Sequence, residues 1–533
     1  MIQKRRQEAN KSLVVQVSSE GSYPELFNYC SQYGAIKSAF HYKTAEEQHN
    51  FILLEFKEQS EYEEALRNSQ FTEDNPGVPV TSPFIWFKAA SSKSKLVKSS
   101  LPTTNLLSDE TKLIQDENLY SFLGSAETLD DQMLVLYRAT CLNDLGIRMR
   151  FLVAKQLETA ISGMFPCAKA LPFGSSVNGF GKMGCDLDLI LRINGNEVEK
   201  SDSRLVFHTK ANLNNERSQT QRHMETIGDI LHLFLPGVSN VRRILQARVP
   251  IIKFNHDCLD LEVDLSMSNL TGFYMSELLY LFGEVDDRVR PLVFCIRKWA
   301  AATQITNPSP GRWISNFSLT LLVIYFLQQI QNPILPTLNS LMKSATKNDV
   351  RVVDGHINCT FLRDQNNLKF QSTNNDSLSF LLVQFFEFYS QFDYKSHGIS
   401  LGEGKPSTKP DHGALWIVNP LESMLNVSKN VSFEEVERFK HEVKNAAWIL
   451  ESSRNKNGET FWGLLQLLRA NKQAVVKPQM FFKSRLVDVT ELFHKDEIDF
   501  RNEAVKNQVA AIRQNTKKQI EDLAFSSSKS RRR

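Results

Sequence analysis

The chain is predicted to be an α+β protein, and three observations predict it. Residues 12–88 alternate strand and helix signals, two acidic segments near residues 186 and 264 alternate charged and apolar side chains at strand period, and residues 286–470 carry mainly helical patterns. In the first region Ser12–Val17 is a β-branched run and Tyr23–Tyr33 is helical. Ala35–Tyr42 and Phe51–Phe56 read as strands, Glu61–Asn68 as a helix and Phe84–Phe87 as a last strand. That order, βαββαβ, is followed by Lys88–Ser100, a Ser- and Lys-rich linker. From Leu129 to Met164 apolar residues recur at helical spacing, giving one long or broken helix. Asn194–Arg222 is polar and irregular, an insertion of the kind that is mobile, and Asp286–Ala302 and Ser315–Ile330 are helical. The Gly/Pro segment Leu401–Asp411 contains Gly-Lys but no complete Walker pattern, so it reads as a connector.

A chain of 533 residues is long enough for about three domains. The expected divisions are 1–90, a linker 91–110, 111–285 completed by the N-terminal part of the long helix, 286–470, and a C-terminal helical and basic tail 471–533. Hydrophobic content of 41% and charged content of 23% are globular values, which argues against wholesale disorder and against a membrane protein. The strongest apolar run, Leu319–Leu327, is shorter than the ~18 residues of a spanning helix and reads as a buried one, so no membrane partner is expected. Net charge is only +3, but Lys4-Arg5-Arg6, Lys93/Lys95/Lys98 and Lys529 with Arg531–Arg533 concentrate cations in tails and linker, where flexible cations follow phosphate or remain solvated. Seven scattered cysteines without a Cys-x-x-Cys fit a reducing compartment and argue against zinc. The start, Met-Ile-Gln-Lys-Arg-Arg, lacks the apolar stretch of a secretory signal and is too short for a mitochondrial presequence.

The chemistry concentrates in Phe173–Leu191, where a turn of small residues, Gly174-Ser175-Ser176, precedes Asp186 and Asp188 at the head of an apolar run. In a strand, carboxylates at i and i+2 point to one side while Leu187, Leu189 and Leu191 point to the other. Two carboxylates held this close repel unless a cation lies between them, and hard oxygen donors suit Mg²⁺. A second segment, Leu259–Leu265, places Asp260, Glu262 and Asp264 on one strand face. Alternation cannot choose among those three, and an amphipathic edge strand with a solvated acidic side accounts for the segment equally well.

Gly174-Ser175, Asp186-x-Asp188 and a later strand aspartate resemble the signature of the DNA polymerase β-type nucleotidyltransferases. Ala247–Phe254, Val263–Ser266, Arg297–Ala300, Ser315–Gln328, and Asn419–Glu422 with Asn426 are similar to blocks of the noncanonical poly(A) polymerases and terminal uridylyltransferases, in the family's order over residues 110–470. Within that group Phe173–Gly181 and Asn419–Val431 resemble the mitochondrial members most, and a mitochondrial location follows from this likeness alone. The resemblance implies an N-terminal RNA-recognition-like module, a nucleotidyltransferase palm with a mixed sheet, and a helical domain of the poly(A)-polymerase-associated type. It also implies a homodimer, dimerisation being the use to which such members put the N-terminal module. The implied activity is template-independent transfer of AMP from the substrate ATP to the 3′ end of single-stranded RNA, with two Mg²⁺ ions, or Mn²⁺ in their place, held by Asp186, Asp188 and Asp264.

By the same likeness Gly174 and Ser175 cradle the triphosphate and Arg297, where the family usually has Lys, is the cation on the β- and γ-phosphates, with Lys298 as fallback. Asn269 takes the ribose 2′-hydroxyl. Phe317 replaces a base-stacking tyrosine and Asn316 a triphosphate-contacting serine; without the resemblance Phe317 would be read as core. Asn419, Glu422, Leu425 and Asn426 form the base-edge segment, Asn419 standing where the family has Asp. Leu425 occupies the place of the histidine found in the uridine enzymes, leaving room for a purine, so adenine is favoured over the rival reading, a terminal uridylyltransferase. A silent RNA-binding scaffold of the same fold is disfavoured by the three intact aspartates. In the N-terminal module Leu53 stands where a base-stacking ring is expected, and His49 and Asn50 replace the leading basic residue and the glycine. A structural module without RNA stacking is therefore the favoured reading there.

Overall fold

In the computed structural model, which describes residues 1–44, 49–69, 82–86, 102–108, 114–193, 216–247, 249–309, 311–410, 412–452 and 462–473, two five-stranded sheets carry the first half of the chain and a helical assembly most of the second. Met1–Asn471 form one compact unit. Lys472–Arg533 form a second. Of the expected tail only residues 471–473 are described, and residues 474–533 lie outside the described residues, as do Lys93, Lys95 and Lys98.

The first sheet follows a short helix α1 (Ile2–Ala9) and comprises β1 (Ser12–Val17), β2 (Ile36–Lys43), β3 (Asn50–Phe56), β4 (Phe84–Trp86) and β5 (Leu106–Ser108), with α2 (Tyr23–Cys30) and α3 (Gln59–Arg67) in the crossovers. Its order is β4-β1-β3-β2-β5. Alternation divides the strands cleanly. Leu13, Val15, Ile52, Leu54 and Phe56 pack on Tyr23, Leu26 and Phe27 of α2 and on Tyr62 of α3. Val14, Phe40, Tyr42, Phe51 and Leu53 face the other way and are buried too. The expected linker ends in β5, parallel to β2 at the sheet edge, and Lys4-Arg5-Arg6 is helical rather than a loose tail. Arg5 pairs with Asp144 at 2.6 Å and Arg6 with Glu158 at 2.6 Å, which commits two of those three cations to protein carboxylates.

Helices α4 (Asp116–Ser125), α5 (Leu129–Thr140) and α6 (Asp144–Ile161) come next. The pattern over 129–164 is two helices because Cys141 turns extended (φ −67°, ψ 152°) and Asn143 caps α6, its Oδ1 accepting from Gly146 N–H at 2.8 Å. The second sheet contains β6 (Lys169–Phe173), β7 (Leu187–Arg192), β8 (Val238–Ile244), β9 (Ile251–His256) and β10 (Leu261–Ser266), ordered β6-β7-β10-β9-β8, with α7 (Glu216–Phe234) before β8. The end of the expected irregular insertion, residues 216–222, therefore belongs to a helix, and residues 194–215 lie outside the described residues.

Leu187, Leu189, Leu191, Val263 and Leu265 share one core with Leu145, Met149 and Leu152 of α6, with Met224, Ile227 and Leu231 of α7, and with Phe40, Tyr42, Phe51 and Leu53 of the first sheet. The face of the first sheet on which bases would stack is thus covered.

The helical assembly contains α8 (Leu270–Val285), α9 (Val289–Ala302), α10 (Asn316–Gln329), α11 (Leu338–Lys343), α12 (Leu378–Gln391), α13 (Phe433–Ser452) and α14 (Leu464–Gln473). Every residue of Leu319–Leu327 is buried, as a helix apolar on all sides must be. Leu123 of α4, Met133 and Leu136 of α5, and Leu278 and Phe282 of α8 join this core, so three helices expected with residues 111–285 pack with the helical half. No helix among the described residues is long and apolar enough to cross a membrane.

Candidate active site

Strand β6 ends at Phe173, opposite Asp188 of β7, and the chain turns at once through Gly174, whose φ is +65°. A Cβ at that position would lie 2.3 Å from Asp188 Oδ2, so the close approach of turn and carboxylate requires glycine. The Gly174 N–H donates to Ser276 Oγ of α8 at 2.7 Å. That amide is therefore occupied, and of the two expected cradle residues Ser175 has its hydroxyl unengaged by any described residue.

Parallel pairing sets Asp264 of β10 directly beside Asp188 of β7, while Glu262 lies exposed opposite Asn255. Asp260 sits before the strand in a left-handed conformation (φ 48°) and is exposed. Register thus separates three acids that alternation treats alike. Burial, then the charges of Asp186 and Asp264, push the Asp188 carboxyl up from 3.8 to about 7, against a smaller opposite pull from Lys253. Lys253 of β9 donates to Asp264 Oδ2 at 2.6 Å. Among the described residues no three His, Cys, Asp or Glu side chains stand at ligand spacing about one point. The three aspartates share an electrostatic field that Lys253 offsets only in part.

The sequence reading missed Lys253 and Arg150. Lys253 is the cation inside the apolar run Ile251-Ile252-Lys253-Phe254, and that interruption was a readable signal. Arg150 of α6 is 4% exposed and pairs with no carboxylate among the described residues. It donates to Gly146 O at 2.9 Å, to Ser176 Oγ at 3.2 Å and to the carbonyl of Cys185, the residue before Asp186. One buried fork therefore fixes both the turn and the start of the acidic strand. Helical periodicity alone gives no hint of it.

Arg297 of α9 keeps some exposed surface, yet its guanidinium is enclosed. It donates to Phe180 O at 2.6 Å, to Asn316 O at 3.3 Å and to Thr320 Oγ1, and pairs with no carboxylate among the described residues. Burial holds it down to about 10 from 12.5. Lys298, the fallback, is bound to Asp116 of α4 at 2.7 Å and is removed from the candidates. Asn269 caps α8, its Oδ1 accepting from Gly272 N–H at 3.2 Å. Asn316 is exposed at the start of α10, and Phe317 beside it is partly buried against the helical core.

In the last segment Asn419 Oδ1 accepts from the N–H groups of Leu421 and Glu422 at 3.0 and 3.1 Å, and Leu425 returns its carbonyl to Asn419 N–H at 2.9 Å. Asn426 Oδ1 accepts from Ile417 N–H and Ser428 N–H, and its Nδ2 donates to Leu415 O. Its side chain is thereby spent organising the loop. Glu422 and Leu425 are partly exposed.

The sequence matches the family described as Poly(A) RNA polymerase, mitochondrial-like, central palm domain, over residues 129–284, and the Cid1 family poly A polymerase over residues 377–427. It is 54% identical over 557 aligned residues to the mitochondrial poly(A) RNA polymerase of Drosophila melanogaster, covering 99% of this chain and 91% of that one. The Homo sapiens protein of the same name is 36% identical over 88% of this chain and 80% of its own. The crystal structure of mtPAP in complex with UTP superimposes with a TM-score of 0.80 at 33% identity, covering 88% of this chain and 98% of that one. With the acidic strands, the turn beneath them and these likenesses in agreement, the chain belongs to the mitochondrial poly(A) RNA polymerase family.

Proposed function

We infer that this chain is a mitochondrial polynucleotide adenylyltransferase that adds AMP from ATP to RNA 3′ ends without a template. The observation that carries this reading is the Asp188 carboxyl, raised to about 7 by its surroundings and its two acidic neighbours, one residue step from a glycine turn that admits nothing larger. An all-oxygen, mutually repelling donor set fits a hard divalent cation, so Asp186, Asp188 and Asp264 would hold Mg²⁺, or Mn²⁺ in its place. When bound, the metal supplies Lewis-acid stabilisation of the reacting phosphate and lowers the pKa of the attacking 3′-hydroxyl. The chain's own residues do the rest. Ser175 Oγ and the Arg297 guanidinium contact the triphosphate, Asn269 meets the ribose, and Phe317 stacks on the base beside Asn316. Lys253 offsets charge on Asp264. Asn419, Glu422 and Leu425 line the base edge, and Asn426 acts there through the loop it organises.

In this reading α5 to α8 and the second sheet form the palm, and the helices from α9 onward, against which α4, α5 and α8 pack, form the domain that closes over the nucleotide. The first sheet, in the strand order of an RNA-recognition module, serves architecture rather than base stacking, because Leu53 and Phe51 are covered. The edge strand β5, where Leu107 is 51% exposed and which pairs with no further strand among the described residues, supports a homodimer, which sedimentation of the full chain tests.

Solved structures of mtPAP hold UTP, GTP, CTP and ATPγS. Base selection in this chain is accordingly expected in the rate of transfer. Incubation with an oligo(A) primer, Mg²⁺ and each nucleoside triphosphate separately should show ATP favoured over UTP by about 1–3 kcal/mol in kcat/KM, the scale of one steric or hydrogen-bond discrimination. Equal values for ATP and UTP would remove the adenylyl assignment.

A further inference from the structure

Phe180 lies in the loop between the glycine turn and Asp186, and its ring, 1% exposed, is buried in the core of the helical half. Two arginines of α9 hold this point from different sides. Arg297 donates to the Phe180 carbonyl, and its guanidinium carbon lies 5.9 Å from the ring centroid. Arg290 is wedged between two glycines. A Cβ on Gly179 would lie 2.7 Å from Arg290 Nε, and one on Gly283 of α8 would lie 2.8 Å from the same nitrogen and 3.3 Å from Phe180 Cζ. Arg290 pairs with Glu284 and lies 5.2 Å from the Tyr280 ring centroid, while its Nε is buried without a partner among the described residues. A buried unpaired donor and a glycine inside a helix are each destabilising, so stability alone does not account for the slot.

We propose that Arg290 is a positioning residue for the transfer reaction. It locks Gly179-Phe180 against α8 and α9, so that Ser175 on the turn and Arg297 on the helix meet the triphosphate as one rigid seat. The proposal rests on the reading that those two residues bind the triphosphate.

Steady-state kinetics of the full chain with oligo(A), Mg²⁺ and ATP test both levels, using Arg290→Met, Arg290→Lys and Gly283→Ala beside the references Ser175→Ala and Arg297→Met. Arg290→Met and Gly283→Ala should raise KM for ATP about tenfold while KM for oligo(A) changes less than about twofold, the size of a small misplacement of binding groups. Arg290→Lys, which keeps the charge and loses the planar fork, should recover part of the loss. Gly283→Ala carries the test if Arg290→Met does not fold, because alanine favours the helix and acts only by filling the slot. An unchanged KM for ATP in the Arg290 and Gly283 variants, or an equal rise for both substrates, overturns the proposal. If the reference variants also leave KM for ATP unchanged, the triphosphate seat itself is wrong; if they alone raise it, only the coupling fails.

Discussion

Glu55 in the first sheet and Asp188 in the second both project from the face opposite the one that carries their neighbours' apolar side chains, Glu55 buried and Asp188 half-buried. Burial pushes Glu55 up, but Lys37 Nζ at 2.6 Å, Arg148 Nη1 at 2.8 Å and Ser38 Oγ at 2.9 Å outweigh it and hold its carboxyl below the usual range. Asp188 meets burial with two further carboxylates, against which the pull of Lys253 is too small, and its carboxyl rises to about 7. The difference separates a structural acid from a reserved one: a carboxylate whose partners are all supplied by the chain holds the fold, and one left to repel its neighbours has its charge kept for something from outside.

The contrast breaks first on activity. Asp264→Ala and Asp188→Ala should each lower single-turnover addition of AMP to oligo(A) by at least about 10³-fold, with the near-ultraviolet circular dichroism spectrum unchanged. Addition within tenfold of the parent would return Asp188 to the structural class. Glu55→Ala should act in the other currency. It takes the carboxylate from Lys37 and Ser38 and leaves Arg148 with Asp144 and Glu8 alone, and should cost about 1–3 kcal/mol in urea denaturation, while the rate per folded molecule stays within about twofold.

The two acids should also titrate stability with opposite sign. Asp188 binds its proton more tightly folded than unfolded, so its contribution falls as pH rises from about 4 to about 7 and stays low above that, with a ceiling of about 4 kcal/mol for a shift from 3.8 to about 7. With divalent cations chelated, Asp188→Asn should therefore melt above the parent at pH 8 and level with it at pH 4. A constant offset across that range would show that the carboxyl is not raised. Glu55, held below its ordinary value, stabilises above about pH 4.5 and loses that contribution as pH falls through its folded value. The smallest effect concerns the covered face. Leu53→Phe restores a stacking ring by sequence, yet oligo(A) affinity by fluorescence anisotropy should stay within about twofold, and overpacking should cost about 1–3 kcal/mol of stability. A clear gain in affinity would mean that this face opens to RNA.

Sequence pattern reached the parts of the molecule that local periodicity dictates. Leu187–Leu191 and Leu261–Leu265 alternate because each strand has one buried face, and the small residues Gly174-Ser175-Ser176 mark the turn that precedes Asp186. It failed where partners are distant in the chain. Nothing near Lys298 shows that Asp116 neutralises it, and nothing near Arg150 shows that Cys185 accepts its hydrogen bond. Periodicity over 129–164 leaves a long and a broken helix both open, and the position of the break between α5 and α6 was hidden because Cys141 and Leu142 keep the apolar spacing while the backbone leaves the helix. Strand β5 has three residues, too few for alternation to register. Asp264 could be chosen over Asp260 and Glu262 only through its alignment with Asp188, a property of two strands rather than one.

Helix α6 is walled on one side by the second sheet and on the other by Phe40, Tyr42, Phe51 and Leu53 of the first. Those four side chains together withdraw roughly 6–12 kcal/mol of apolar surface from water by area reckoning, comparable with the whole stability of a typical domain. A catalytic fragment excised after residue 110 would lose those side chains and carry the bared apolar face of α6 into solution, and its fate would be aggregation or capture by a chaperone. The leading hundred residues are therefore an intramolecular lagging for the polymerase, without which the machinery behind them has no dry side to stand on.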